Sequence, residues 1–554
     1  MCLWHARPVE KSNFARCSTP SDCTMNIRMV LGQLGKVITL LGIILAIIGI
    51  WGFIVPFDEG IREERADLAL LISSGAALII GGVMWISTMG FQDVRRTILR
   101  GEPQGIEAGQ RMGRREALLL VSSAWVIGAV FIGLPYLLWA YLDDNVSASH
   151  AFRSPVDCYF EAMSGLSTTG ATVLADVDGL PLTLLFWRAL SQWLGGLGIL
   201  VLLVALLPGA GVSAKRLFRF EAPGPDSEGV RPTMRDTARR LWTMYLFLTG
   251  LQVVCLLLAG MSVFNAFCHT FTTLATGGFA THDHSMAGAE TVGIQIIVII
   301  FMVMAGTNFG ILHMVLQRQW KSIWRDTELR VYLGILLVGC GLVIGSLLVN
   351  GGTMFFVDGT EAPITASNAV LDGVFTTVSQ QTTTGFTSAD YNAWPFVAKA
   401  VIITVMFIGG CGGSTAGGIK VIRIWITLRV LWRQLARVAN PAVVRPIRIS
   451  GQSLDSEQML SAVSYTMTII ILFALGAAIL QVLEGDECGF VTSATASLAT
   501  LCTIGPGLNQ VGAIENYAWF SDASKLFMCF LMLVGRLELF AVFVLFQPRF
   551  WSGR

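Results

Sequence analysis

Residues 380–390 read Gln380-Gln381-Thr382-Thr383-Thr384-Gly385-Phe386-Thr387-Ser388-Ala389-Asp390, and a close variant of this phrase stands at three other places in the 554-residue chain. Residues 165–172 read GLSTTGAT, residues 273–283 read TLATGGFATHD, and residues 500–508 read TLCTIGPGL. Each holds a Thr, one further residue, then a Gly: Thr168-Thr169-Gly170, Thr276-Gly277-Gly278, Thr383-Thr384-Gly385 and Thr503-Ile504-Gly505. The final glycines stand 108, 107 and 120 residues apart, so one unit is used four times. A single Thr-x-Gly says little, because both residues are common packing residues in apolar helices. Four in register, each after a short semi-apolar stretch and before a long apolar one, form a pattern.

The rest of the chain fits a membrane setting. Hydrophobic residues make up 54% of it and charged residues only 14%, and its mean hydropathy is +0.65. A soluble domain needs more polar surface. Apolar runs long enough to cross a bilayer lie near 37–56, 68–90, 117–141, 183–207, 241–262, 291–316, 330–349, 396–425, 461–482 and 523–546. Shorter stretches near 155–165, 264–275, 368–380 and 489–501 are too short to cross and read as helices that dip in and return. The expected fold is therefore an all-α polytopic membrane protein. Two leading spans precede four units of span, short helix, Gly loop and span around one pore: ten spans and four re-entrant helices. The expected segments are a polar tail over 1–29, the two leading helices over 30–116, and repeats over 117–210, 211–318, 319–437 and 438–554.

Charge gives the orientation. Arg95, Arg96, Arg100, Arg111, Arg114 and Arg115 lie between spans two and three, and Lys215, Arg216, Arg219, Arg231, Arg235, Arg239 and Arg240 between four and five. Arg318, Lys321, Arg325 and Arg330 lie between six and seven; Lys420, Arg423, Arg429, Arg433, Arg437, Arg445 and Arg448 follow span eight. Every second loop is basic, so those loops and both termini are expected in the cytoplasm. All four short helices then enter from outside. The net charge of +1 gives no sign of nucleic-acid binding. No Cys-x-x-Cys pair occurs among the eleven cysteines, which read as small buried hydrophobes. The first 24 residues are polar, without the apolar core of a signal peptide. They read as a mis-called start, with Met25 or Met29 as the alternative, or as a disordered tail. Cys2, Cys17, Cys23 and His5 fit no tight metal-ligand spacing.

The repeat carries its own chemistry. A dehydrated cation needs its water replaced by oxygens, and rings of backbone carbonyls do this. Glycine lets the backbone turn those carbonyls toward an axis. Exposed carbonyls at membrane depth are tolerable where they line a watery path. Each short helix would aim its partly negative C-terminal end at that path.

The motifs GLSTTGATV, LFWRALSQWLGGLGI, GGFATHD, MAGTNF, QTTTGFTSADY, GGCGGSTAGGIK and LVGRLEL resemble the Trk/Ktr/HKT potassium transporter superfamily, and within it the bacterial TrkH type. The resemblance runs from about residue 30 to 550. It implies potassium uptake across the bacterial inner membrane, four membrane-pore-membrane units in one chain, a homodimer, and a cytoplasmic nucleotide-binding TrkA-type subunit that gates the pore. It assigns the potassium filter to Thr168, Thr169, Gly170, Thr276, Gly277, Gly278, Thr383, Thr384, Gly385, Thr503, Ile504 and Gly505. All four positions tied to potassium preference are glycine; relatives that prefer sodium often carry Ser at the first. The fourth filter departs from the pattern, with Ile504 in place of a hydroxyl residue and a stiff Gly505-Pro506-Gly507.

Two further features read as gates. Gly409, Gly410, Gly412, Gly413, Gly417 and Gly418 interrupt span eight, and each would weaken a helix by about 1 kcal/mol relative to Ala. An unwound loop below the filter, ending at Lys420, is the functional reading; close helix packing is the plain one. It is no phosphate loop, since Ile419 follows Gly418 where a Lys is required. Arg536 lies mid-span and needs water or a partner there. It reads as a pore-facing barrier, or as paired with an acid such as Glu538. Asp157, Glu161, Asp283, Asp372 and Asp390 are expected around the outer mouth, either concentrating cations or as solvated loop charges. His282-Asp283-His284 lacks a third metal ligand. Arg188 and Lys399 read as snorkelling or capping residues. The basic loops 208–240 and 426–458 are candidate docking surfaces. The chain has no dinucleotide fingerprint and binds no cofactor by this reading, so it is a transporter without chemistry of its own. Rivals are the potassium-selective subunit of an ATP-driven pump, a non-conducting sensor, and a sodium- or proton-coupled symporter.

Overall fold

The computed structural model describes residues 25–54, 64–88, 112–196, 198, 234–286, 291–440, 446–450, 452–537 and 539–552. Residues 1–24 of the expected polar tail, and the basic residues Arg95, Arg96, Arg100, Arg111, Lys215, Arg216, Arg219, Arg231 and Arg445, lie outside them; the first helix begins at Ile27, inside the range expected for that tail.

The two leading spans are helices Ile27–Ile54 and Glu64–Thr88, packed together through glycine. A Cβ at Gly35 would stand 2.7 Å from the Gly81 carbonyl oxygen, and Ser74 Oγ donates to Gly42 O at 2.8 Å. Small residues allow this close approach where lipid supplies no hydrophobic drive. Their outer faces stay apolar and uncovered, as at Ile79 and Val83.

Four units follow. Each starts with a long helix: Arg114–Leu142, Met234–Leu258, Thr327–Asn350 and Ser456–Glu484. Each long helix packs on the short helix that follows it: Pro155–Leu166, Val263–Leu274, Ala366–Gln381 and Phe490–Leu501. The expected short stretches are thus helices. Caps explain where three begin: Ser154, Ser262 and Thr365 each accept a backbone N–H of the first turn. The second helices are Leu182–Gly196, Val292–Ala305, Phe396–Phe407 and Asp522–Arg536. Each packs on the short helix of its own unit and on that of the next unit, and the fourth returns to Pro155–Leu166. The four units therefore close into a ring.

The second helices are shorter than the spans expected for them. They have 15, 14, 12 and 15 residues, about 20 Å at 1.5 Å per residue, short of the roughly 30 Å hydrocarbon core. Expected continuous spans over 291–316, 396–425 and 523–546 are broken. Val292–Ala305 meets Phe309–Leu316 at 107°, and Asp522–Arg536 meets Phe540–Phe546 at 111°. At the first break Gly306 O accepts Cys411 N–H and Asn308 caps the new helix through Gly310 N–H, so the backbone bonds leave the helix ladder. Residues 408–420 separate Phe396–Phe407 from Val421–Ala439. Most of the expected span 183–207 beyond Gly196 lies outside the described residues. Among the described residues six unbroken helices are long and apolar enough to cross a membrane, or up to eight with each bent pair counted once.

Candidate functional site

The short helices all end in the same way. The N–H groups of Thr168, Thr276, Thr383 and Thr503 turn back to carbonyls three residues earlier, Gly165, Thr273, Gln380 and Thr500, at 3.0–3.4 Å. Those of Thr169, Gly277, Thr384 and Ile504 reach Ser164, Thr272, Ser379 and Ala499, five residues earlier, at 2.8–2.9 Å. This is the Schellman helix end, in which the first residue past the cap is left-handed and usually Gly. Here it is Thr each time, with φ of 56°, 54°, 57° and 51°. A β-branched residue rarely adopts this conformation, so four at equivalent places mark a backbone held against local preference. Two residues on, Gly170, Gly278, Gly385 and Gly505 are left-handed too, with φ of 82°, 75°, 82° and 99°.

The four loops meet. A Cβ on Gly170 would overlap the Gly277 carbonyl oxygen, one on Gly278 that of Thr384, and one on Gly385 that of Ile504. One on Gly505 would stand 2.7 Å from the Thr169 carbonyl oxygen. Each filter glycine thus faces the middle-residue carbonyl of the next loop, and the fourth faces the first. All twelve predicted filter residues are brought to this one closed ring. Ile504 does not disturb it, because its side chain is buried and its carbonyl supplies the contact. Tyr517 donates its hydroxyl to Gly505 O at 2.7 Å.

Two supporting residues were not singled out by the sequence reading. Gln192 donates Nε2 to Gly277 O at 2.8 Å and accepts Phe279 N–H at 3.1 Å. A side chain at Gly277 would collide with it, which explains glycine at the middle position of that loop alone; that glycine was the available signal. Glu328, buried at the start of its long helix, accepts Gly412 N–H at 2.7 Å.

The glycine-rich segment sits directly against the filter residues. Gly417 N–H donates to Thr383 Oγ1 at 2.6 Å, and a Cβ on Gly417 would overlap Thr503 Oγ1 and Cys502 O. Thr415 Oγ1 donates to Leu274 O at 2.9 Å, the last residue of the second short helix. Gly410 stands against Gly306 O, and Gly409 and Gly418 against each other across the parallel bridge Ile408–Ile419. Gly413 and Gly418 are left-handed. Lys420 Nζ donates to Ala416 O. Arg536 ends the fourth second helix, half-buried, and donates to Thr415 O at 2.8 Å, Gly195 O at 2.8 Å and Gly196 O at 2.5 Å. The guanidinium thus ties this loop to the first unit. Glu538, its suggested partner, lies outside the described residues.

The acids expected at the mouth are built into the structure. Glu161 is fully buried and bonded to Arg188 at 2.6 Å. Asp157 pairs with Lys525 at 2.5 Å. Asp372 accepts from Ser388 Oγ, Asp283 from Val177 N–H, and Asp390 from Asn392 N–H. Arg188 does not snorkel: its side chain is 3% exposed, held by Glu161. Lys399 does cap, donating to Asn392 O at 3.0 Å. His282 bonds Asp178 and His284 contacts Val357 O, and among the described residues no three ligand-type side chains cluster for a metal.

Comparison with known proteins agrees with this architecture. The TrkH family, described as cation transport protein, matches residues 114–553. The Trk system potassium uptake protein TrkH of Salmonella typhimurium is 35% identical over 524 residues, covering 91% of this chain and 99% of that protein. Its namesake from Vibrio parahaemolyticus is 31% identical, covering 94% and 100%. The crystal structure of the potassium transporter TrkH from Vibrio parahaemolyticus superposes with a TM-score of 0.75 at 28% identity, covering 95% of this chain and all of that one.

Proposed function

The chain belongs to the TrkH family of cation transport proteins, a family of transporters rather than enzymes, and from that premise we propose that it carries potassium into the cell through the ring of four filter loops. The observation that carries this reading is the cyclic meeting of the four glycines with the carbonyls of Thr169, Gly277, Thr384 and Ile504. Potassium entering the ring exchanges water for these oxygens. Four short helices end at the filter and add the negative ends of their dipoles. An inside-negative potential favours entry by about 2.3 kcal/mol per charge per 100 mV.

The segment Gly409–Gly418 with Lys420 acts as the gate beneath the filter, and Arg536 holds it shut while setting a barrier to cations. The close approach of Gly417 to Thr383 and Thr503 supports this assignment. The chain works as a homodimer in the bacterial inner membrane with ten crossings and both termini in the cytoplasm. Its repeats span 117–210, 211–318, 319–437 and 438–554, and a TrkA-type nucleotide-binding subunit moves the gate from the cytoplasmic side.

Expression in a bacterium lacking its potassium-uptake systems, together with the regulatory subunit, tests the reading. The unaltered chain restores growth at low potassium, while Gly170→Ser and Gly385→Ser do so poorly. No rescue by the unaltered chain contradicts potassium uptake.

A further inference from the structure

The buried Glu161–Arg188 pair takes no part in the conduction path or the gate, yet it joins two filter loops. Arg188 Nε lies 2.6 Å from Glu161 Oε1, with side chains 3% and 0% exposed. On one side the carboxylate holds the backbone leaving the first filter. Its Oε2 accepts Val173 N–H at 3.0 Å and its Oε1 accepts the Thr172 hydroxyl at 3.1 Å, three and two residues past Gly170. On the other side the guanidinium holds the backbone leaving the second filter. It donates to Ala280 O at 3.0 Å and lies over the Phe279 ring, 3.6 Å from its centroid, two residues and one residue past Gly278. Just past the other filters, the described contacts between units are neutral: Thr387 N–H to Ser285 Oγ, Asn509 N–H to Asn392 Oδ1, and Tyr517 N–H to Thr172 O.

We propose that Glu161 and Arg188 are positioning residues that fix the first filter loop against the second and so set the discrimination between potassium and sodium. The proposal rests on the reading of the ring as a potassium filter. Sodium and potassium differ in the size and number of oxygens they need, and a filter whose loops can shift adapts to the smaller ion. A buried ion pair with its remaining valences satisfied resists such shifts, because separating it strands a charge away from water. The Arg fork matters as well as its charge: one nitrogen meets Glu161 while another reaches Ala280 O, which a lysine ammonium cannot do from the same place.

The test uses the full-length protein in liposomes, with potassium and sodium uptake measured in competition. The variants are Glu161→Gln, Arg188→Lys and Thr172→Val. Glu161→Gln is expected to lower the potassium-to-sodium ratio by roughly threefold to thirtyfold, the range of a coupling element in a packed network. Arg188→Lys should give a partial loss, since it keeps the charge. Thr172→Val leaves the ion pair intact, removes one of its filter contacts, and should lower the ratio by a smaller factor. A pair that only stabilises the fold would reduce protein yield or thermal stability and leave the ratio alone. A wild-type ratio in well-folded Glu161→Gln overturns the proposal. If that variant does not fold, a wild-type ratio in Thr172→Val overturns it. Absence of potassium uptake by the unaltered protein is a separate result, which removes the premise.

Discussion

The four threonines that open the filters carry positive φ, and so do the four glycines that close them. Local preference disfavours the first by about 1–2 kcal/mol each, so the surrounding packing has to impose it. For the glycines the constraint is steric as well, since a side chain would meet a neighbouring carbonyl. Arg536 illustrates the opposite kind of residue, one whose value lies in its reach. Its three carbonyl contacts span the first unit and the glycine-rich loop. Arg536→Ala is therefore expected to raise potassium flux about tenfold or more, as charge-assisted hydrogen bonds of roughly 1.5–3 kcal/mol each are removed. Flux measured in liposomes at the level of the unaltered protein would contradict the barrier. Filter glycines were legible in the sequence because their demand is local and repeated. Arg188 was not, because its partner Glu161 stands 27 residues away on another helix, and sequence position alone suggested a snorkelling or capping cation.

At the scale of the element, the short helices were legible and the second helices only in part. A 12-residue semi-apolar stretch cannot cross the bilayer, so its length gave it away. Residues 291–316 remain apolar straight through the bend at Gly306-Thr307-Asn308, and composition hides a change of direction. The sign was chemical: Asn308 is a good helix N-cap and stands in mid-run. The glycine-rich segment belongs to the same class, since its bonds leave the helix ladder for Gly306, Thr383 and Leu274. Thr415→Val removes the hydroxyl that holds it to Leu274 O. Basal flux should then rise about twofold to tenfold, in line with the loss of one net hydrogen bond of roughly 0.5–1.5 kcal/mol. Unaltered basal flux, read without the regulatory subunit, would show that this tether does not restrain the gate.

Across the whole molecule, cyclic closure joins four similar but unequal units into one ring. Each second helix leans on the next unit's short helix, and the fourth leans on the first. The units differ where function would need asymmetry: a glycine-rich break in the third, Arg536 in the fourth, and in the first a buried ion pair that reaches the second. The number of repeats could be read from the sequence because the Thr-x-Gly phrase recurs. Their order around the ring could not, since it depends on contacts between segments more than 100 residues apart. The central claim is that one ring of backbone oxygens holds the transported ion. Anomalous diffraction from crystals of the protein grown with rubidium in place of potassium tests it most directly. A rubidium peak is expected inside the ring, coordinated by the carbonyl oxygens of Thr169, Gly277, Thr384 and Ile504. Rubidium bound elsewhere, with the ring empty in protein that transports rubidium, would contradict it.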